Sequence, residues 1–262
     1  MEIFGYLSSV LIGVVLGLLG GGGSILSIPI LVYIFNIEPV LASAYSLFIV
    51  GTTSFVGAIP KYRQHLVNLR TGILFGIPSI ITIFCTRKWI VPSLPDAIWQ
   101  TSHFTITKRM LLLGLFAILM VLAAIPMIRG KKEMTSRNRR FRIVLVMLEG
   151  VIIGFLTGMV GAGGGFLIIP ALVFLTGLKF KTAVGTSLFI IAINSLLGFL
   201  GDVINYTIDW SLLLRITAFA VLGILIGHYL TRYFTGIKLR KTFGWFTLVM
   251  GCYILVRELF FK

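Results

Sequence analysis

The 262-residue chain is 58% hydrophobic and only 12% charged, with a mean hydropathy of +1.04. About a quarter of the residues of an ordinary soluble domain are charged, so this composition excludes a soluble enzyme, and with it a disordered tail or a fibrous protein. The formal charge of +15, from 23 Lys and Arg against 8 Asp and Glu, sits in short loops between apolar runs. There it sets membrane topology rather than nucleic-acid binding.

In chain order, no charge occurs between Glu2 and Glu38, and the chain reads as a polytopic membrane protein. A long apolar segment, 3–35, is followed by ordinary spans at 41–60, 70–91 and 109–129. A basic connection, Arg129 to Arg142, comes next. A second long segment, 142–176, is followed by spans at 183–201, 211–230 and 242–260. The N-terminus carries Glu2 instead of a basic region, so no cleaved signal peptide is expected. Cys85 and Cys252 both lie in spans. Two such thiols build no disulfide framework and no metal cluster, and no cofactor is expected.

The two series are copies. A shift of 141 positions aligns Ile12–Gly57 with Ile153–Gly198 without a gap, and 18 of the 46 positions are identical. The matches include the glycine clusters, Pro29 with Pro170, and Ser-Leu-Phe-Ile at 46–49 and 187–190. This divides the chain into a first repeat, 1–129, a basic linker, 130–141, and a second repeat, 142–262.

Each long segment has too many residues for one crossing. As a single helix, residues 3–35 would reach about 50 Å at 1.5 Å per residue, against a hydrocarbon core about 30 Å thick. Each also contains a helix-breaking cluster, Gly20-Gly21-Gly22-Gly23 and Gly161-Ala162-Gly163-Gly164-Gly165. The expectation is a hairpin of two helices that enters and leaves on one side. Counting Lys and Arg supports it. With the linker cytoplasmic, the hairpin arrangement places 16 inside and 7 outside, whereas single crossings leave 13 and 10. The hairpins make the number of crossings per repeat odd, so the repeats are expected to be inverted, with both termini outside. The fold class expected is an all-α polytopic membrane protein of two inverted repeats, each a broken-helix hairpin plus three transmembrane helices.

Inverted repeats with broken helices place a transporter's binding site near the midplane. A helix starting inside the membrane exposes unpaired N–H groups and about half a positive charge, and glycine lets a solute approach that backbone. The expected substrate-binding residues in the turns are Gly20, Gly22, Gly23 and Ser24, with Gly161, Gly163, Gly164 and Gly165. Polar positions on the following helices join them: Ser46, Thr53, Thr186, Ser187 and Asn194. The competing reading is helix packing by small residues, expected for Gly13, Gly17, Gly154 and Gly158, and hydroxyl back-bonding to the helix. Nucleotide binding is excluded, because no Gly-Lys-Ser/Thr follows either cluster and Ile25 stands where a dinucleotide turn needs glycine. Glu149 is the candidate proton relay at membrane depth. His65, His103 and His228 do not cluster in sequence, and no metal site or catalytic triad is visible. A membrane-embedded enzyme or assembly factor would need such a cluster.

The two copies of Gly-x-x-Gly-x-Gly-Gly-(Gly/Ser)-x-x-x-x-Pro, Gly17–Pro29 and Gly158–Pro170, precede Ala42-Ser-Ala-Tyr-Ser-Leu-Phe48 and Ala183-Val-Gly-Thr-Ser-Leu-Phe189. Together they resemble the TauE/SafE sulfite exporter family over nearly the whole chain. The first copy departs from the pattern at Gly21, Ser24 and Tyr45. The resemblance implies multi-pass residence in the plasma membrane and transport of a small sulfur-containing anion such as sulfite, a sulfonate or sulfoacetate. The only other partner expected is the bilayer, and an oligomer is not excluded. Moving one negative charge out of a negative interior gains roughly 2.3 kcal/mol per 100 mV, which favours export. The alternatives are a passive anion channel and a proton- or sodium-coupled uptake permease.

Overall fold

Each long apolar segment folds as two helices around its glycine cluster. The chain is seen in a computed structural model that describes residues 2–21, 23–95, 97–101, 104–129, 139–161 and 163–260. Gly22 and residues 130–138 of the linker lie outside the described residues. The first segment gives α1 (Glu2–Leu19) and α2 (Gly23–Tyr33), and the second gives α7 (Arg139–Val160) and α8 (Gly165–Thr176). The helices α2 and α8 have 11 and 12 residues. At 1.5 Å per residue they reach only about half of a 30 Å core. Gly20 and Gly161 turn the chain with φ of +67° and +79°, a region that side-chain-bearing residues adopt only at a cost. In the first hairpin the chain returns to where it started: a Cβ on Gly5 would stand 2.6 Å from Phe35 Cζ.

The remaining elements follow the expected spans. They are α3 (Pro39–Arg63), α4 (Leu69–Cys85), α6 (Lys108–Arg129), α9 (Phe180–Val203), α10 (Trp210–Leu230) and α11 (Gly236–Phe260). Among the described residues, six helices, α3, α4, α6, α7, α9 and α10, are long and apolar enough to cross a membrane. The helix α4 widens into a π-turn at Thr86–Ile90 and ends in α5 (Val91–Ser93). The strands β1 (Ala97–Thr101) and β2 (Phe104–Thr107) then pair antiparallel. This short hairpin sits within an otherwise helical fold, the class expected. Its sequence is rich in Ile, Trp, Phe and Thr, which fit a pleated strand better than a helix.

The helices pack in matching sets. The helix α1 lies on α10 as α7 lies on α4, while α3 faces α9 and α6 faces α11. Glycines make these approaches close. A Cβ on Gly17 would meet the Ile224 carbonyl oxygen at 2.7 Å, and one on Gly154 would meet that of Ser79 at 2.6 Å. Gly13 and Gly158 are equally tight against Ala220 and Thr86, so all four glycines expected to pack do so.

The 141-residue separation recurs in the hydrogen bonds. Asn68 caps α4 by accepting from the Thr71 amide, and Asp209 caps α10 by accepting from the Leu212 amide, both at 3.1 Å. The Asn68 amide donates to Thr186 Oγ1 at 2.9 Å; the Asp209 amide donates to the Tyr45 hydroxyl at 2.7 Å. Direction follows from the glycine contacts. Along α3 and α9, Leu47 is beside Gly198, Gly51 beside Leu196 and Gly57 beside Leu188. These two repeat-equivalent helices therefore run antiparallel. They are also the most enclosed, with 72% of each apolar span buried inside the protein against 33–44% for the other four. Large apolar side chains elsewhere, Leu7, Ile81, Leu122, Leu222 and Val249 among them, point outward as a bilayer requires.

Candidate functional site

The two glycine turns meet. Gly21 and Gly165 are packed backbone to backbone, so that a Cβ on either would overlap the other's main chain. Gly165 also lies against Ile191, near the middle of α9, and Gly163 lies against Ile191 and Ser195 of α9 and Val50 of α3. The contact therefore sits at mid-height of the two most enclosed helices. All described glycines of both clusters are buried. Because α2 and α8 begin here, the first-turn amides and the positive ends of both helices are brought together inside the protein.

Polar side chains surround the contact. A Cβ on Gly163 would stand 2.8 Å from Ser195 Oγ, and one on Gly164 would overlap Thr157 Oγ1. A Cβ on Gly20 would be 3.3 Å from Ser187 Oγ. Ser54, the repeat equivalent of Ser195, is fully buried as well. The hydroxyls of Ser54, Thr157 and Ser195 have no hydrogen-bond partner among the described residues. A buried hydroxyl left in that state costs about 1–3 kcal/mol.

The expected polar contacts divide. Ser187 faces Gly20 but donates to the Val184 carbonyl at 2.8 Å. Ser24 Oγ turns back on the Gly21 carbonyl at 2.6 Å. Ser46 shares a 2.5 Å hydrogen bond with Ser27, and Thr53 back-bonds to the Ile49 carbonyl at 2.6 Å. Asn194 donates to Ser79 Oγ at 2.7 Å and keeps an unpartnered Oδ1. Thr186 is spent on the Asn68 amide, away from the turns. Glu149 has one unpartnered carboxylate oxygen. It lies twelve positions before Gly161, roughly 18 Å along the helix, and so stands apart from the turns.

Three charged residues, two of them (Lys61 and Asp202) read from sequence as loop charges and one (Arg87) lying at the outer end of span 70–91, are buried helix residues. Lys61 lies in α3 and is 5% exposed, Arg87 lies in the π-turn, and Asp202 lies in α9; the last two are fully buried. Arg87 Nη1 pairs with the Asp202 carboxylate at 3.3 Å and donates to Ser43 Oγ at 2.8 Å. Its Nη2 lies against Gly161, so that a Cβ there would overlap it, and Nη2 and Nε have no partner among the described residues. Hydropathy treats a charge as the end of a span and cannot see a partner 115 residues away. The usable signal was positional: Lys61 and Asp202 are repeat equivalents, as are Arg87 and His228.

No group of three or more potential metal ligands occurs among the described residues. Comparison with known proteins points to membrane transporters. A "Probable membrane transporter protein" of Xylella fastidiosa is 27% identical over 255 residues, covering 95% of this chain and 92% of that one. A probable membrane transporter of Methanocaldococcus jannaschii is 28% identical over 75% of this chain and 70% of its own, and YdhB of Bacillus subtilis is 26% identical over 87% of each. No solved structure matches. The model of the family described as "Sulfite exporter TauE/SafE" matches residues 6–254. With two buried glycine turns in contact and six membrane-length helices among its described residues, this chain is a membrane transporter belonging to the TauE/SafE sulfite exporter family.

Proposed function

We propose that the protein exports small sulfur-containing anions, such as sulfite, sulfonates or sulfoacetate, across the plasma membrane. The anion binds at the midplane, beside the contact of the two glycine turns. What carries this reading is the meeting of Gly21 with Gly165 among buried, unpartnered hydroxyls. The N-termini of α2 and α8 offer amide hydrogens and two positive helix ends. Thr157 and Ser195 supply neutral donors to the outer oxygens of an oxyanion, and Ser54 is given the same role as the repeat equivalent of Ser195. Gly21 and Gly165 themselves touch, so the anion rests alongside them, toward Gly163 and Ser195, rather than between them. Gly20, Gly23, Gly161 and Gly164 shape the approach; Ser24, Ser46, Thr53, Ser187 and Asn194 brace it. Gly22 is assigned to the site from sequence alone, as the repeat equivalent of Gly163.

Residues 1–129 and 142–262 act as inverted repeats that rock against each other around this site. The antiparallel course of α3 and α9, and the doubled Asn68–Thr186 and Asp209–Tyr45 hydrogen bonds, support that arrangement. The charge count supports a cytoplasmic linker at 130–141 and termini outside.

Purified protein in liposomes tests the reading. Sulfite, thiosulfate, sulfoacetate, taurine and sulfate are offered in turn, and saturable flux with counterflow is expected for at least one of the sulfur anions. Ser195→Ala and Ser54→Ala are each expected to raise the half-saturation concentration about five-fold, the equivalent of about 1 kcal/mol for a hydrogen bond. Flux that never saturates and shows no counterflow identifies a passive channel. Unchanged half-saturation in both variants overturns the site.

A further inference from the structure

The two repeat-equivalent crossings, α9 on the π-turn after α4 and α3 on α10, carry different charges. At the first, Asp202 faces Arg87; both are fully buried, with Nη1 at 3.3 and 3.5 Å from the carboxylate oxygens. At the second, the equivalents are Lys61 and His228. Lys61 Nζ donates to Thr231 Oγ1 at 3.4 Å, and Thr231 donates to the His228 carbonyl at 2.6 Å. Gln64, one turn beyond Lys61, meets His228 Nε2 at 3.4 Å. One crossing therefore holds an acid and a base, and the other holds two bases.

The second crossing opens into a cavity of about 110 Å³, with room for a small oxyanion and a few waters. Lys61, Lys181 and Arg232 are its charged lining, Gln64 and Thr231 are polar, and no carboxylate lines it. Its inner wall includes Val184, whose Cγ1 would stand 2.9 Å from a Cβ on Gly20. The cavity thus ends against the first glycine turn. An ammonium that is 5% exposed without an opposite charge costs several kcal/mol in solvation unless something neutralises it.

We propose that Lys61 is the anion-receiving residue at this end of the pathway, with the transported anion supplying there the negative charge that Asp202 supplies to Arg87 at the other end. This rests on the export reading, which places the Lys61 end in the cytoplasm. The anion enters beside Lys181 and Arg232, pairs with Lys61, and waits behind Val184 for the Gly20 turn. The Arg87 end is held shut by its own ion pair. The end loaded from the cytoplasm is therefore the one whose closure depends on substrate.

The test uses full-length protein, with a binding readout independent of flux. In detergent, millimolar sulfite or thiosulfate is expected to raise the melting temperature of the unaltered chain. Lys61→Gln is expected to weaken the apparent affinity about ten-fold or more, the scale of a charge-assisted hydrogen bond. Lys61→Arg restores it to within about three-fold, and Lys61→Met, which keeps the aliphatic stem, separates loss of charge from loss of packing. In liposomes, the half-saturation for flux follows the same order while the maximal rate changes less. Full anion stabilisation in Lys61→Gln and Lys61→Met, or no stabilisation of the unaltered chain, overturns the role of Lys61. Stabilisation that depends on Lys61 without any flux leaves Lys61 as an anion site and overturns the export reading instead.

Discussion

A chain carrying Gly163→Leu is expected to insert into the membrane and to lose transport by roughly a hundred-fold or more. Gly163 has a φ of +66°, where any other L-residue is strained by about 1–2 kcal/mol. A Cβ would press on Ser195 Oγ at 2.8 Å and Val50 Cγ1 at 2.9 Å. Overpacking of that kind adds about 1–3 kcal/mol. Both penalties fall on the turn proposed to hold the anion, so each 1.4 kcal/mol lowers occupancy of the working geometry about ten-fold. Gly163→Ala carries the backbone strain with less of the overlap and is expected to fall between. Gly114→Ala is the control, since a Cβ there meets nothing within 4 Å, and its flux should stay within about two-fold. The measurement is flux per inserted molecule in liposomes, with elution as a single species in detergent as the check on folding. Normal flux in Gly163→Leu would remove the turn from the pathway.

Breaking the Arg87–Asp202 pair is expected to be the most destabilising single change to a charged residue. Either Asp202→Leu or Arg87→Leu leaves the other charge fully buried, at a cost of about 3–5 kcal/mol. The double variant removes both charges and is expected to recover most of that loss. Ser43 shapes the comparison, because it accepts from the same Nη1 at 2.8 Å and remains as a partner in Asp202→Leu. Denaturant unfolding in detergent of the two single variants and the double variant gives the coupling directly. Additive losses would show that the two charges do not support each other, and the closed end of the pathway would then need a different explanation.

Much of this molecule is legible without coordinates. The break in each long segment follows from four or five small residues inside an apolar run, because a helix through Gly20–Gly23 or Gly161–Gly165 loses backbone entropy with no side chains to pack. The spans 41–60 and 183–201 correspond to α3 at Pro39–Arg63 and α9 at Phe180–Val203. They come out short at their C-terminal ends because Lys61 and Asp202 read as loop charges, although α3 runs three residues past 60 and α9 two residues past 201. Ser54 and Ser195 stand out as a repeated pair in sequence. That their hydroxyls lack partners, while Thr53 back-bonds and Thr186 caps across to Asn68, depends on neighbours more than a hundred positions away or on local rotamers. The β1–β2 hairpin was missed because it interrupts a chain otherwise dominated by helical spans.

The amino-acid sequence by itself determined the approximate positions of the apolar helices, the two copies and the places where the backbone must break. Those are local matters: the bilayer sets a length, every buried backbone group needs a partner, and glycine withdraws support from a helix. Only the tertiary structure decided which buried polar groups meet. Lys61 and Asp202 hold the same position in the two copies, yet one faces Thr231 and a cavity, and the other faces Arg87. The rotation and close approach of helices, set by glycines packed on carbonyl oxygens, chose those partners, and with them the different chemistry of the two crossings.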